Sequence, residues 1–184
     1  MLIAACSRME TPSLVTPGDP ERFGLEIRLA DDKFTERRRQ VVRLSMLSAT
    51  CMAVVALYQF GITKHVPEPR MPMLDADKVD GSGEAYQTLS VGDAFLGFVS
   101  YGVTMLLAAM GGPRRHVTNP VLPLAMAAKS MFDASGAAKL TVDQWTKHRA
   151  FCSWCLTAAA ATFAVVPAVM PEAHAAAETL RHRL

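Results

Sequence analysis

Arg149-Ala150-Phe151-Cys152-Ser153-Trp154-Cys155-Leu156 leads directly into an alanine-rich apolar run that continues to Pro167. A helix that begins near Phe151 carries the two cysteines about one turn apart at its N-terminal end. The positive end of the helix dipole and the flanking Lys147 and Arg149 favour a thiolate there. The spacing therefore indicates dithiol redox chemistry, with Cys152 and Cys155 as the catalytic residues.

Three other interpretations of the cysteine pair are weaker. A structural zinc site needs two more ligands, and only His148 lies close in the sequence. A nucleophilic pair of one cysteine with His148 leaves the second cysteine without a role. Two buried structural cysteines are the remaining alternative, but Trp154 between them and the basic residues before them favour an interfacial, reachable position. We therefore predict a redox pair and no metal.

The composition places these cysteines in a hydrophobic protein. Of the 184 residues, 51% are hydrophobic and 20% are charged, and the formal net charge is +2. A charge so close to zero gives no reason to expect a nucleic-acid partner. The apolar residues are clustered into runs that approach the roughly 20 residues needed to cross a bilayer.

Four such runs predict an all-α integral membrane protein, a four-helix transmembrane bundle surrounded by lipid. The predicted spans are about 41–62, 91–110, 119–140 and 150–170. The third run carries Lys129 and Asp133 near its middle, four residues apart on one helix face, so they can neutralise each other. A structural ion pair and a functional pair are equally compatible with this spacing.

The polar segments set the predicted orientation. Residues 1–40 form a polar arm in which residues 23–29 alternate like a short strand or an interfacial segment. Residues 171–184 form a tail that is a short, exposed helix. Basic residues cluster at residues 37–39, at Arg114 with Arg115, and at Arg181 with Arg183. By the positive-inside rule the arm, the tail and both termini are cytoplasmic, in a multi-pass protein of a bacterial inner membrane. The acidic loop 63–90 and the Cys-x-x-Cys then face the oxidising side.

Two stretches resemble a known family. Phe151-Cys152-Ser153-Trp154-Cys155-Leu156-Thr157 is similar to the signature of the vitamin K epoxide reductase family. Val91-Gly92-Asp93-Ala94-Phe95-Leu96-Gly97-Phe98-Val99-Ser100-Tyr101 is similar to the stretch that opens the family's second helix, with Gly97 and Tyr101 in the matching places. The resemblance covers about residues 41–170. It implies a four-helix bundle around a quinone, acting as a quinone-linked membrane thiol/disulfide oxidoreductase.

The resemblance also implies a cofactor, a partner and further site residues. The cofactor is a quinone of the menaquinone, ubiquinone or phylloquinone type, contacted by Asp93, Phe151 and Trp154. The partner is a soluble thioredoxin-like protein on the outer face of the membrane. Cys155 then faces the quinone, whereas Cys152, about 4.5 Å nearer the helix start, exchanges with the partner.

The chain departs from the family pattern in two places. Residues 63–90 contain no cysteine, although most members carry a relay pair there. Ala159 stands where many members have a tyrosine that hydrogen-bonds the quinone. An acid such as Asp93 suits a quinone carbonyl only when it is protonated. Two alternatives therefore stay open, namely a non-catalytic membrane protein that keeps the fold and a membrane thiol redox sensor.

Overall fold

The computed structural model describes residues 20–86 and 90–183, so residues 1–19 of the predicted arm lie outside the described residues. The described chain is helical and contains no strand, which confirms the predicted all-α class. Its helices are α1 (Pro20–Leu29), α2 (Lys33–Gln59), α3 (Ala76–Asp80), α4 (Asp93–Ala109), α5 (Arg115–Thr118), α6 (Val121–Asp143) and α7 (Ser153–Arg181). A 3₁₀ turn covers Gly83–Tyr86 and a π-helical turn covers Gln144–His148.

Short polar residues and one glycine determine where several helices begin. Asp32 caps α2, because its carboxylate accepts from two backbone N–H groups in the first turn at 2.9 and 3.0 Å. Asp75 caps α3 in the same way, with one such bond at 3.0 Å. Gly92 precedes α4 at a point of close approach, where a Cβ atom would lie 2.2 Å from Gln59 Oε1. The close approach of the Gln59 amide to the start of α4 therefore requires glycine at this position.

The described part of the predicted arm is helical. Residues 23–29 lie in α1, so the strand alternative is wrong. The end of α1 is held by Arg39, whose Nη2 donates to the carbonyl oxygens of Ile27 and Ala30, both at 3.0 Å. Helix α2 then begins at Lys33, well before the predicted start of the first apolar run.

The four long helices α2, α4, α6 and α7 pack together. Helix α2 packs against α4 and α7, and α7 packs against α6. One apolar cluster, which includes Val41 and Val169, fills the end that we call the basic end. A second cluster, which includes Val55 and Cys152, fills the opposite end, which we call the cysteine end. The helices are therefore held together at both ends by separate apolar cores.

Many large apolar side chains point away from both cores. Exposed examples on the long helices are Leu47, Phe98, Val103, Leu106, Phe132 and Phe163. Outward apolar surface of this kind fits contact with lipid. By length and composition, α2 and α7 are each able to cross a bilayer, whereas α4 is apolar but has only 17 residues.

Lys129 and Asp133 belong to a polar cluster inside the bundle. Lys129 Nζ lies 2.5 Å from Asp133 Oδ2 and donates to Ser100 Oγ at 3.0 Å and Thr104 Oγ1 at 2.8 Å. All three ammonium protons therefore have acceptors, as the burial of a charged group requires. The predicted pairing is confirmed, and its complete set of partners favours the structural alternative.

A buried ionic cluster lies at the basic end. Arg115 is fully buried, and its Nε and Nη2 donate to the Glu172 carboxylate at 2.9 and 2.8 Å. Arg38 Nε lies 3.8 Å from the same carboxylate. Arg183 donates to the carbonyl oxygen of Val117, so the three basic segments seen in the sequence meet at this end. Two of their arginines are nevertheless core residues rather than solvated charges.

Helix α7 is 29 residues long and contains two prolines. Pro171 has no N–H to donate to the carbonyl oxygen of Pro167, which accepts instead from Arg37 Nη1 at 3.4 Å. The helix continues to Arg181, with Glu172 buried. The helix predicted from residue 171 onward is confirmed as far as Arg181. Its predicted exposure is wrong, because these residues extend α7 and several of them pack against the bundle.

Candidate active site

An extended segment holds the Cys-x-x-Cys against the loop between α2 and α4. The π-helical turn ends at Arg149, whose φ of 51° turns the chain back toward the bundle. Phe151 pairs with the loop, because its N–H donates to Met73 O at 2.8 Å and its carbonyl accepts from Asp75 N at 3.0 Å. The start of α7 is thus anchored by backbone pairing to a segment that is remote in sequence.

The two cysteines occupy different positions at the start of α7. Cys152 is the N-cap, and its Sγ accepts from the backbone N–H of Cys155 at 3.2 Å. The N–H of Cys152 donates to Gln144 Oε1 at 3.0 Å. Cys152 has no exposed surface, whereas Cys155 is partly exposed. The two sulfurs thus lie within the first turn of α7, and one of them already accepts from a backbone N–H group of that turn.

Asp80, the last residue of α3, brings a carboxylate to this pair. Cys155 Sγ donates to Asp80 Oδ1 at 3.3 Å. Asp80 is buried, and its Oδ2 is buried without a hydrogen-bond partner. Burial raises the pKa of Asp80 to about 6, and the carboxylates of Asp93 and Glu68 act in the same direction, while the two thiols oppose the shift. This acid therefore titrates close to neutral pH.

A cavity of about 400 Å³ opens beside Cys155. Its apolar lining includes Met52 of α2, Leu96 of α4, Leu140 of α6, and Ala158 and Ala159 of α7. Its polar lining includes Asp80, Asp93 and Tyr101 together with Cys155. The volume and the mixture of apolar walls with a few polar groups are typical of a site for a small molecule.

Gln59 organises the polar side of the cavity. Its Nε2 donates to Asp93 Oδ1 at 2.7 Å and to the Asp80 carbonyl at 3.4 Å. Its Oε1 accepts from the backbone N–H of Ala94 at 3.1 Å. Tyr101, further along α4, is held by a hydrogen bond of 2.8 Å between its hydroxyl and Thr162 Oγ1. The side chains of Asp93 and Tyr101 are thus fixed in orientation.

Residues 66–76, which we call the cover, lie over Cys152. Glu68 ties the cover to α7, because its Oε2 accepts from Ser153 N at 3.3 Å and Ser153 Oγ at 3.1 Å. Its Oε1 accepts from the backbone N–H of Ala76 at 2.5 Å. The predicted exposure of Cys152 is therefore wrong. This part of the acidic loop folds back over the start of the helix.

The structure separates the predicted site residues into two groups. Cys155 and Asp93 line the cavity. Phe151 does not line it, and its ring stacks on Trp145 with centroids 5.8 Å apart. Trp154 does not line it either, since its indole N–H donates to a carbonyl oxygen of the cover at 2.6 Å. The two aromatic residues hold the loop and the π-helical turn in place around the cysteines.

Sequence reasoning missed three residues of the site. Asp80 is one of several acids in the loop 63–90, and nothing in its local pattern marks it. Gln59 carried a recognisable signal, because it is a polar residue at the end of an apolar run. Tyr101 was noted for its spacing from Gly97 but was not assigned to the site.

Asp80, Cys152 and Cys155 are also close enough together to hold a metal ion. The sulfurs of Cys152 and Cys155 and a carboxylate oxygen of Asp80 lie within 4.8 Å of one another. A structural zinc ion takes four protein ligands, and His148 is not part of this group. We therefore interpret the group through its acid–base and redox chemistry.

Two comparisons with known proteins were made. The family model described as "Vitamin K epoxide reductase family" matches residues 40–170. A search of curated proteins finds no significant match. The matched residues include the Cys-x-x-Cys and the cavity-lining residues of α2, α4, α6 and α7.

Proposed function

Because the chain belongs to the vitamin K epoxide reductase family, we propose that it is a quinone-linked membrane thiol/disulfide oxidoreductase with Cys152 and Cys155 as its redox pair. Members of this family are membrane thiol/disulfide oxidoreductases. The proposal goes beyond this family activity in three respects, namely the quinone, the roles of the two cysteines and the orientation in the membrane.

One observation carries the proposal: Cys155 stands in the wall of a cavity of about 400 Å³ that also presents a carboxyl group and apolar side chains. A quinone ring needs apolar walls and a few hydrogen-bond donors at its carbonyl oxygens. When bound, the quinone supplies the acceptor for two electrons and two protons. The residues present fit such a ligand.

Asp93 is the proposed hydrogen-bond donor to a quinone carbonyl. A carboxyl group donates only in its protonated form. Since Gln59 Nε2 donates to Oδ1 of Asp93, the proton is expected on Oδ2. Small side chains at Ala158 and Ala159 leave room for the ring on the α7 side of the cavity.

The proposed path of exchange runs through Cys152. Residues 63–90 hold no cysteine that could relay electrons from a partner, so the thiol partner must reach the pair directly. Cys155 faces the cavity, which leaves Cys152 for a soluble thioredoxin-like protein on the outer face. The cover must then move away from Cys152 during exchange.

The experiment measures quinol formation by the purified protein with a dithiol as reductant and a short-chain ubiquinone or menaquinone analogue as acceptor. Wild-type protein is expected to turn over, and Cys155→Ala is expected to lose at least about 100-fold of the rate, because the nucleophilic thiol is gone. Cys51→Ala is the matched control, since this buried cysteine of α2 does not line the cavity.

Two results would contradict the proposal in different ways. Reversible oxidation of Cys152 and Cys155 without quinol formation would indicate a thiol redox sensor. Neither oxidation nor quinol formation would indicate a non-catalytic protein that keeps the fold.

We propose four membrane-crossing helices, α2, α4, α6 and α7, with the basic end in the cytoplasm of a bacterial cell. The clustering of three basic segments at one end supports this orientation. A reporter inserted after Thr118 or fused after Leu184 is expected to report cytoplasm, and one inserted after Gly83 is expected to report the outer side. A cytoplasmic signal at Gly83 would contradict the orientation.

A further inference from the structure

Resting on the proposed function, we propose that Asp80 is a catalytic residue that accepts the Cys155 proton when the dithiol is oxidised. The carboxylate and the thiol are already in hydrogen-bond contact, with Cys155 Sγ donating to Asp80 Oδ1 at 3.3 Å. The distance is within the range allowed for a bond from sulfur, and the direction of donation is the one that a proton transfer requires.

The position of Asp80 is held by the surrounding helices. Gln59 of α2 donates to the Asp80 carbonyl at 3.4 Å, and Tyr58 donates to the carbonyl of Asp77 at 3.3 Å. Asp75 caps the start of the short helix that ends at Asp80. These bonds fix the backbone of α3 and leave the Asp80 side chain directed at the cysteine pair.

The carboxylate has unused capacity for a proton. Asp80 is only 4% exposed, and its Oδ2 is buried without a hydrogen-bond partner. A buried acceptor without a partner is costly, and such a group persists where it has a chemical role. Protonation of Asp80 removes the buried charge, so the surroundings favour the transfer.

Two neighbouring carboxylates also favour protonation of Asp80. The titratable groups that face Asp80 are Tyr58 of α2, Glu68 of the cover, Asp93 of α4, and Cys152 and Cys155 of α7. Lys147 and His148 of the π-helical turn line the same cavity. Burial, with Asp93 and Glu68, raises the pKa of Asp80 to about 6. A proton acceptor is most effective when its pKa lies near the working pH.

The chemical step is balanced. Oxidation of the pair breaks two S–H bonds, forms the Cys152–Cys155 bond and releases two electrons and two protons. Both electrons go to the quinone of the proposed function, and quinol formation takes up two protons. Asp80 receives the proton of Cys155 at Oδ1 and returns it to the cavity, so the whole reaction consumes no net proton.

The test compares Asp80→Asn with wild-type protein by two measurements. Quinone reduction near neutral pH is expected to fall about 100-fold, because general-base assistance contributes at least that much. Wild-type activity should fall as the pH drops below about 6, where Asp80 becomes protonated. The activity of Asp80→Asn should show no such fall near pH 6 and should recover at alkaline pH, where the Cys155 thiol loses its proton without a base. A misfolded variant would not recover.

The second measurement does not require quinone. The alkylation of Cys155 by iodoacetamide is measured as a function of pH by mass spectrometry of the Cys155 peptide. The pH at which this alkylation is half-maximal should be lower in Asp80→Asn than in wild-type protein. Removal of the carboxylate favours the thiolate, and only the thiolate is alkylated. Asp77→Asn is the matched control, because it makes the same change in α3 and can still accept from Val66 N.

Three outcomes overturn the proposal. An unchanged midpoint of Cys155 alkylation would show that the two groups do not interact. Equal quinone reduction by Asp80→Asn and wild-type protein would show that the proton has another acceptor. Absence of quinone reduction by wild-type protein would contradict the proposed function itself. The role of Asp80 in that reaction would then fall as well.

Discussion

Glu172→Ala is expected to lose most of the folded protein. The substitution leaves the Arg115 guanidinium, which has no exposed surface, without its carboxylate partner. Breaking a buried pair from one side costs about 3–5 kcal/mol. The whole stability of a domain is about 5–15 kcal/mol, so this loss is a large share of it. Arg38, the second arginine near the same carboxylate, adds like-charge repulsion once Glu172 is gone.

The measurement is the thermal unfolding midpoint and the yield of monodisperse protein in detergent. Glu178→Ala is the matched control, because Glu178 lies further along α7 and is exposed. Arg115→Met combined with Glu172→Met should be milder than Glu172→Ala, since both charges leave together. An unfolding midpoint of Glu172→Ala equal to that of wild-type protein would contradict the importance of this ionic cluster.

Glu68→Ala is expected to speed the reaction of Cys152 with an external disulfide by about ten- to a hundred-fold. The measurement uses a protein with Cys6, Cys51 and Cys155 replaced by alanine, in which the remaining thiol, Cys152, is buried and is expected to react slowly with 5,5′-dithiobis(2-nitrobenzoate). Glu68 holds the cover through charge-assisted hydrogen bonds to Ser153 and Ala76. Such bonds contribute about 1.5–3 kcal/mol, and each 1.4 kcal/mol changes the open fraction about tenfold.

The release of thionitrobenzoate at 412 nm follows this reaction. Glu36→Ala, which removes an exposed acid at the basic end, serves as the control and should leave the rate unchanged. With the partner protein present, Cys155→Ala should accumulate a mixed disulfide through Cys152, and Cys152→Ala should accumulate none. Fast reaction of Cys152 before Glu68 is changed would show that the cover does not protect it.

Local patterns were enough to predict the class of fold and the position of the two cysteines at the start of a helix. The apolar run after Cys155 and the basic residues before Cys152 describe a helix with a dithiol at its start, and α7 begins at Ser153. The pairing of Lys129 with Asp133 also follows from a local rule, because residues four apart share a helix face.

Contacts between distant segments could not be predicted in this way. Asp80 meets Cys155 across 75 residues, and Arg115 meets Glu172 across 57. No periodicity in the sequence reports which acid of a loop folds inward, or which arginine of a basic cluster is buried. The exposure expected for Cys152 and for residues 171–184 was wrong for this reason, since composition describes average surroundings and not individual contacts.

The length of helix α7 can be compared with the thickness of a bilayer. Its 29 residues extend about 44 Å at 1.5 Å per residue, close to the full bilayer with its headgroups. Glu172 lies 19 residues after Ser153, or about 29 Å along the axis, which matches the thickness of the hydrocarbon core. In the proposed topology, the Cys-x-x-Cys and the ionic cluster lie at opposite borders of the hydrocarbon. A bilayer several ångströms thicker would draw one of these polar ends into the acyl chains, so activity and stability should depend on lipid chain length.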